Sequence, residues 1–481
     1  MEKLLGEALA AASAAGATYA DARFVETKRE TYAVKNEITD AAGDSVSSGV
    51  GVRVIADGGW GFASTGELTP GAVKAAGELA VRIARASSTA QSEPARLDDS
   101  PPLSGEYSTP TDEDPFEVGR REKIDMLVGA TAAMKGPEAV KIRQAFMTIY
   151  SRETHLRSTE GADVHQRIVE SGAGIAARAI GEGGESQVRS YPNSFRGNFH
   201  TAGFEYVRSL GLGGNAPRVA DEAAQLLSAQ QCPPGKRDVI LDGGQLALQV
   251  HESCGHPIEL DRVFGTEASY AGTSFLTTDK LGELQYGSAV VNIVADATVP
   301  GGLGTYGYDD EGVAAQRTDI VKAGKFVGYL TSRETAAKMG WRSSGAARAD
   351  GWARIPLIRM TNINLLPGDR DFDELLADTD GGLFMATNRS WSIDNQRLNF
   401  QFGTEIAWEI SGGRLGTVYK NPTYTGITPE FWNSCDAICS ADHWQMWGTP
   451  NCGKGEPGQT AHVGHGAAPA RFRGVQVGVI E

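Results

Sequence analysis

Apolar residues recur at helical spacing at the start of the chain, where Leu4, Leu5, Ala8, Leu9 and Ala12 share one stripe, predicting a helix over residues 2–16. Period-two alternation then predicts strands over 19–25 and 50–55, with Asp57-Gly58-Gly59-Trp60 as a turn into Gly61-Phe62-Ala63. Helical spacing returns over 70–87 and 116–134, on either side of an exposed stretch at 93–114 rich in Pro, Asp and Ser. Two alternating strands, 145–157 and 168–180, frame the turn Ser158-Thr159-Glu160-Gly161, and a helix around 217–230 follows. Paired prolines and a glycine in Cys232-Pro233-Pro234-Gly235-Lys236-Arg237 then break the pattern. Beyond them Asp238–Asp242 reads as a strand, Gly243-Gly244 as a turn and Gln245 onward as a helix. The remainder is mostly strand: 289–295, 319–330 around Ala323-Gly324, 357–366, 398–410, and 415–419 after Gly412-Gly413.

This layout predicts an α+β fold in two domains. Residues 1–232 form a mixed helix and antiparallel-sheet domain, and residues 236–481 a β-rich domain carrying the helix that starts at Gln245. A length of 481 residues agrees with two domains, and 60 glycines with 41% hydrophobic residues suit a turn-rich, sheet-containing globular protein. The formal charge of −15 argues against nucleic acid or an anionic membrane as the main partner, since phosphate binding needs a basic surface. No apolar run approaches the roughly 20 residues of a membrane span, and Met1–Leu5 leads into a helix without a signal-peptide core, so a cytoplasmic protein is expected. Five unevenly spaced cysteines form no disulfide framework and read as reduced thiols or metal ligands.

The chemistry concentrates in His251-Glu252-Ser253-Cys254-Gly255-His256. Zinc takes neutral imidazole nitrogens as ligands, and an unligated carboxylate beside it serves as general base; His251, His256 and Glu252 fit these roles. The spacing is H-E-x-x-x-H, one residue longer than the usual H-E-x-x-H, whose histidines share a helical face. On a regular α-helix an i,i+5 pair points roughly 140° apart, so the helix must change pitch. A π-bulge would do this, but unwinding at Gly255, before Pro257, is the expectation. For the third ligand Cys452 is chosen from distant Asp, Glu, His and Cys residues, because a thiolate in the flexible loop Gly448–Gly455 can reach a metal; the alternative is a loop cysteine near the surface.

Other groups carry two readings each. Glu259 and Asp261 either orient a ligating histidine or belong to a solvated acidic turn. Asp309-Asp310-Glu311 either binds a peptide amine or lies on an acidic surface, and His462 and His465 are loop residues near the metal or exposed imidazoles. Cys435, Cys439 and His443, at i, i+4 and i+8, fall with Phe431, Ile438 and Met446 on an apolar helical stripe, so they read as core rather than a second metal site. Cys254 is expected to pack beneath its helix. Gly448 with Gly453-Lys454 nearly matches a phosphate-binding loop, but Gly455, Pro457 and Gly458 remove the hydroxyl and the helix that loop needs.

The chain resembles the TldD/PmbA proteins, specifically the TldD-like subunit. The residues carrying the resemblance are Gly51-Val52-Arg53-Val54 with Gly61-Phe62-Ala63, the His251–His256 segment, Tyr308–Gly312 with Gln316, Pro356 with Arg359–Asn362, and Cys452-Gly453-Lys454. The resemblance implies a zinc metallopeptidase with His251, His256 and Cys452 as ligands and Glu252 as base, built of two α+β domains. It also implies a dimer, commonly with a PmbA/TldE-like subunit although a homodimer fits too, whose metal faces an enclosed cavity that admits unfolded or extended peptides. Where the family commonly has Gly-His-Gly-Leu-Glu-Gly-Asp, this chain has Gly255-His256-Pro257-Ile258-Glu259-Leu260-Asp261. The competing functions are a deformylase-like zinc amidase and a non-catalytic peptide-binding subunit with a structural metal.

Overall fold

The computed structural model describes residues 1–478; the last three residues of the expected second domain lie outside them. The early strands are much longer than alternation suggested. Tyr19–Lys35 and Ile38–Ala56 form one hairpin with Ala22 opposite Val52, and a turn at Asp57-Gly58, both at positive φ, leads to Gly59–Thr65. The sheet runs Gly59–Thr65, Ile38–Ala56, Tyr19–Lys35, Val140–Ser158, Asp163–Ile180, Ser104–Ser108, with Ser186–Tyr191 and Asn198–His200 also on Asp163–Ile180. Ser104–Ser108 lies inside the stretch read as an exposed connection.

Alternation gives this sheet two unlike faces. Ala20, Ala22, Phe24, Tyr32 and Val34 point to the helical side, where the helices Glu2–Ala14 and Pro70–Ser88 cover one end and Arg120–Ala133 and Leu212–Ser228 the other. Thr69 starts the second helix by accepting the Ala72 N–H, and Pro70 occupies the first turn, where its missing N–H costs nothing. Gly61 lets this helix close in: a Cβ there would stand 1.9 Å from the Ala80 carbonyl oxygen. The opposite face presents Asp21, Arg23, Arg53 and Arg152 to the C-terminal half of the chain.

A second sheet is built around Gly235–Leu241, which lies parallel to Leu383–Ile393 on one side and antiparallel to Ala470–Val477 on the other. This strand begins inside the break around residues 232–237, and the preceding Gln230-Gln231 already pairs with Tyr419-Lys420. A small sheet of Ile293–Asp296, Arg317–Lys322, Lys325-Phe326 and Ile363–Leu365, together with the hairpin Gln445–Lys454/Gln459–Ala467, completes the layer around the site. Short helices Arg333–Met339, Phe372–Ala377 and Thr428–Asn433 interrupt the β-rich half. Among the described residues no helix is long and apolar enough to cross a membrane.

Two local expectations are overturned. Gly243-Gly244 is not a turn but the first turn of the helix Gly243–Val250, because the Asp242 carboxylate accepts the Gln245 N–H at 2.8 Å and caps the end. Cys435 and Cys439 are buried core residues, but on no helical stripe: the helix ends at Asn433, and Cys435–Ile438 is a strand paired with Ala470–Phe472. His443 instead lies 3.2 Å from Asp371.

Candidate metal centre

The central strand Gly235–Leu241 delivers the helix Gly243–Val250 into the core, where it continues into a single π-turn, His251–Gly255. The expected unwinding at Gly255 therefore does not occur. The His256 N–H donates to the His251 carbonyl at 3.2 Å, the i→i+5 bond that brings the two histidines to one side. Glycine is needed at 255 for a different reason: a Cβ there would sit 2.2 Å from Met360 Sδ. The His251 and His256 rings stand 4.9 Å apart, nearly perpendicular.

Cys452 meets them from the strand Gln445–Lys454, not from a flexible loop, and it is buried. Its Sγ lies 3.7 Å from His256 Nε2, and the donor atoms of His251, His256 and Cys452 all fall within 4.8 Å of one another. Tetrahedral zinc with two nitrogens and a sulfur separates its ligand atoms by roughly 3.3–3.6 Å; the 3.7 Å pair approaches that spacing, and two imidazoles with a thiolate fit the ion in chemistry. Burial disfavours a thiolate, but His251, His256 and Arg359 outweigh it and hold the Cys452 thiol well below its usual range. Burial pushes the Cys254 thiol, packed in the core beneath the π-turn, up to about 12.

Each histidine is oriented by its far nitrogen. His465, on the strand Gln459–Ala467 and fully buried, places Nε2 at 2.8 Å from His251 Nδ1 and its own Nδ1 at 3.3 Å from the Ile363 carbonyl. With His465 donating to that carbonyl, its Nε2 accepts from His251 Nδ1–H, which leaves His251 Nε2 with a free lone pair. His256 Nδ1 lies 3.0 Å from Glu259 Oε2, leaving Nε2 to face Cys452. Burial keeps His256 and His465 well below the ordinary histidine range, as neutral rings. Lys454 Nζ ties the site to its support, donating to Asp261 at 2.7 Å and the Ile358 carbonyl at 2.7 Å and pairing with Glu259 at 3.4 Å. Asp261 thus acts through Lys454 and bonds to neither ligating histidine. Neither acid belongs to a solvated turn.

Glu252 projects beside the cluster and pairs with Arg397, which the sequence reading did not single out. Arg397 comes from the turn between Leu383–Ile393 and Asn399–Ser411, and nothing in its local sequence indicates that the turn would fold over the helix. Arg359, flagged earlier only within a family segment, donates to the Cys452 carbonyl at 2.5 Å and fixes the strand. A cavity of about 270 Å³ opens from the cluster, walled by Asn193, Phe195, Trp391, Arg397 and the strand segment 448–453.

The other candidates lie elsewhere. Asp309, Asp310 and Glu311 are buried, and all six carboxylate oxygens have protein partners. Asp309 accepts the N–H groups of Glu311, Val313 and Ala347, Asp310 meets Arg152, Arg23 and the Ala349 N–H, and Glu311 meets Arg53 and the Arg333 N–H. Asp310 and Glu311 dock the polar face of the first sheet, while Asp309 braces its own loop. His462 reaches Glu170 of that same sheet, away from the metal cluster. The near-match to a phosphate loop lies on the strand Gln445–Lys454 rather than in a flexible loop, and among the described residues no helix follows it.

Known proteins match the chain along most of its length. The family described as "PmbA/TldA metallopeptidase C-terminal domain" matches residues 234–478, and "PmbA/TldA metallopeptidase domain 1" matches residues 20–84. A protein of Methanocaldococcus jannaschii named a metalloprotease is 30% identical over 94% of this chain and 95% of its own length. A Saccharolobus solfataricus protein named "Zinc metalloprotease TldD homolog" is 25% identical over 51% of this chain and 52% of its own. The fold matches the crystal structure of TldE from Thermococcus kodakarensis at a TM-score of 0.74, with 16% identity, over 99% of this chain and all of that one.

Proposed function

The chain belongs to the PmbA/TldD metallopeptidase family, and from that premise we propose that it is a zinc-dependent peptidase acting on unfolded or extended peptides. The observation that carries this is the convergence of His251, His256 and Cys452 beside the unligated carboxylate of Glu252. Zinc bound by these three would acidify a water and polarise the scissile carbonyl. His465 and Glu259 hold the two imidazoles in the tautomers that present Nε2. Glu252 takes a proton from the attacking water and returns it to the leaving amine. Lys454 and Arg359 fix the strand that carries Cys452, so the thiolate arrives in register with the helix.

The same reading includes two domains, 1–232 and 236–481, and a dimer with a PmbA/TldE-like subunit or with a second copy, enclosing the cavity. Extended peptides would bind there largely through their backbones. Folded proteins would resist cleavage.

The test is metal content and mass-spectrometric cleavage products for the wild type and Glu252→Gln, alone and with a co-expressed partner. The substitution is expected to lower turnover about 10²–10⁴-fold with zinc retained. Undiminished turnover with zinc bound removes Glu252 from the reaction. A deformylase-like amidase would instead require N-formylated peptides.

A further inference from the structure

Four side chains around the cavity are placed for a ligand that the metal cluster does not explain. Among the described residues, Arg397 is the one lysine or arginine that lines it. Its backbone is held at φ +66°, a conformation that non-glycine residues adopt when their surroundings impose it. Those surroundings are visible: Asp394 accepts the N–H groups of Gln396, Leu398 and Asn399, and Thr428 donates to the Arg397 carbonyl. The turn thus aims a guanidinium at Glu252. Nη1 pairs with that carboxylate, whereas the buried Nε has no partner. A guanidinium offers five N–H donors in a fork suited to carboxylates, so this one is only partly used.

The mouth of the cavity is apolar. Phe195 and Trp391 meet edge to face at 5.2 Å, yet remain 45% and 44% exposed. Two aromatic rings presented together at the edge of a reaction centre form a receptor for an apolar side chain. The same cavity is lined by Asn388, 1% exposed. Its Nδ2 donates to the carbonyls of Ser390 and Gly403, which fixes the amide orientation and leaves Oδ1 as a buried acceptor with no donor. A buried unpaired acceptor is costly, and a peptide N–H would satisfy it.

We propose that this cavity receives the C-terminal residue of the peptide, with Arg397 binding the free α-carboxylate, Phe195 and Trp391 a large apolar side chain, and Asn388 a backbone N–H. The proposal rests on the metallopeptidase reading and narrows it to a carboxypeptidase. Glu252 marks where a carboxylate binds Arg397, in the cavity that His251, His256 and Cys452 also line. Since one extended residue spans at most about 3.6 Å, a terminal carboxylate on Arg397 sets the preceding peptide bond near the metal cluster. Hydrolysis breaks that C–N bond, the water's hydroxyl joining the acyl carbon and its proton reaching the leaving amine through Glu252. One amino acid leaves, and the shortened peptide ends in a new carboxylate. The incoming carboxylate also displaces Glu252 from Arg397 and frees it to take the proton.

The experiment compares peptides of one sequence ending in Phe, as free acid and as amide, with the zinc-loaded protein and its native partner if one co-purifies. The acid is expected to lose only its last residue, with kcat/KM about 10–100-fold above the amide, the range for a charge-assisted bond. Arg397→Gln removes that preference at unchanged zinc content, and Trp391→Ala raises KM for terminal Phe but not for terminal Ala. Equal rates, or the same internal cuts in both peptides, overturn the proposal while leaving the peptidase reading intact. In a second arm both peptides are titrated into the chelator-treated protein, where the acid should bind at least about 10-fold tighter, and only while Arg397 is present. Equal binding overturns the proposal, and absence of cleavage with preserved acid binding overturns only the peptidase reading.

Discussion

Two clusters of ionisable groups are buried in the C-terminal half of the chain, and they use burial in opposite ways. At Asp309-Asp310-Glu311 every carboxylate oxygen already has an arginine or a backbone N–H, so Asp310 and Glu311 are consumed by the docking of the first sheet and Asp309 by the bracing of its own loop. At His251-His256-Cys452 the outer atoms are consumed instead: His465 and Glu259 take the far nitrogens, and the three remaining donors point at one another. Both are short stretches of chemically active residues in the sequence. What separates glue from reaction centre is the direction in which the unpaired valences face.

Substitutions sharpen that contrast. Cys452→Ala should abolish stoichiometric zinc, read by metal analysis of the purified protein, because two histidines cannot complete the site alone; full zinc in this variant would move the third ligand elsewhere. Asp310→Ala should leave zinc bound but cost about 3–5 kcal/mol, since it strands Arg152 and Arg23 as buried charges; denaturant unfolding measures this, and a loss of zinc at unchanged stability would erase the distinction. Glu259→Gln should weaken zinc about 10–100-fold by loosening His256, seen in competition with a chelator. His443→Ala, which removes a partly exposed contact to Asp371, should change unfolding by less than about 0.5 kcal/mol and zinc affinity not at all.

The legible parts of the chain were those set by local rules. Alternation marked parts of the long strands near the N-terminus, the proline pair falls just before the central strand of the second sheet, and the extra residue in His251–His256 announced that a regular helix could not serve. The π-turn itself was not legible, because unwinding and i→i+5 bonding satisfy the same five residues, and the glycine at 255 answers to Met360, more than a hundred positions away. Gly243-Gly244 misled for a related reason: glycines signal turns, but a cap by Asp242 and crowding by Ala467 and Trp447 make them the residues a tight helix start requires. Of the supporting residues, His465 is one of two histidines readable as near the metal and Lys454 lies within a family segment, whereas Arg397 reaches the site by tertiary folding alone, with no trace in its local sequence.

The π-turn that His256 closes and the strand that carries Cys452 are separated by 196 positions along the chain, counted from His256 to Cys452. A ribosome adding about 5–20 residues per second needs roughly 10–40 s to cover that interval. Through all that time the two histidines and Glu252 exist without Cys452, so the proposed metal site cannot be complete. The order of residues along the chain would thereby time the first assembly of that site.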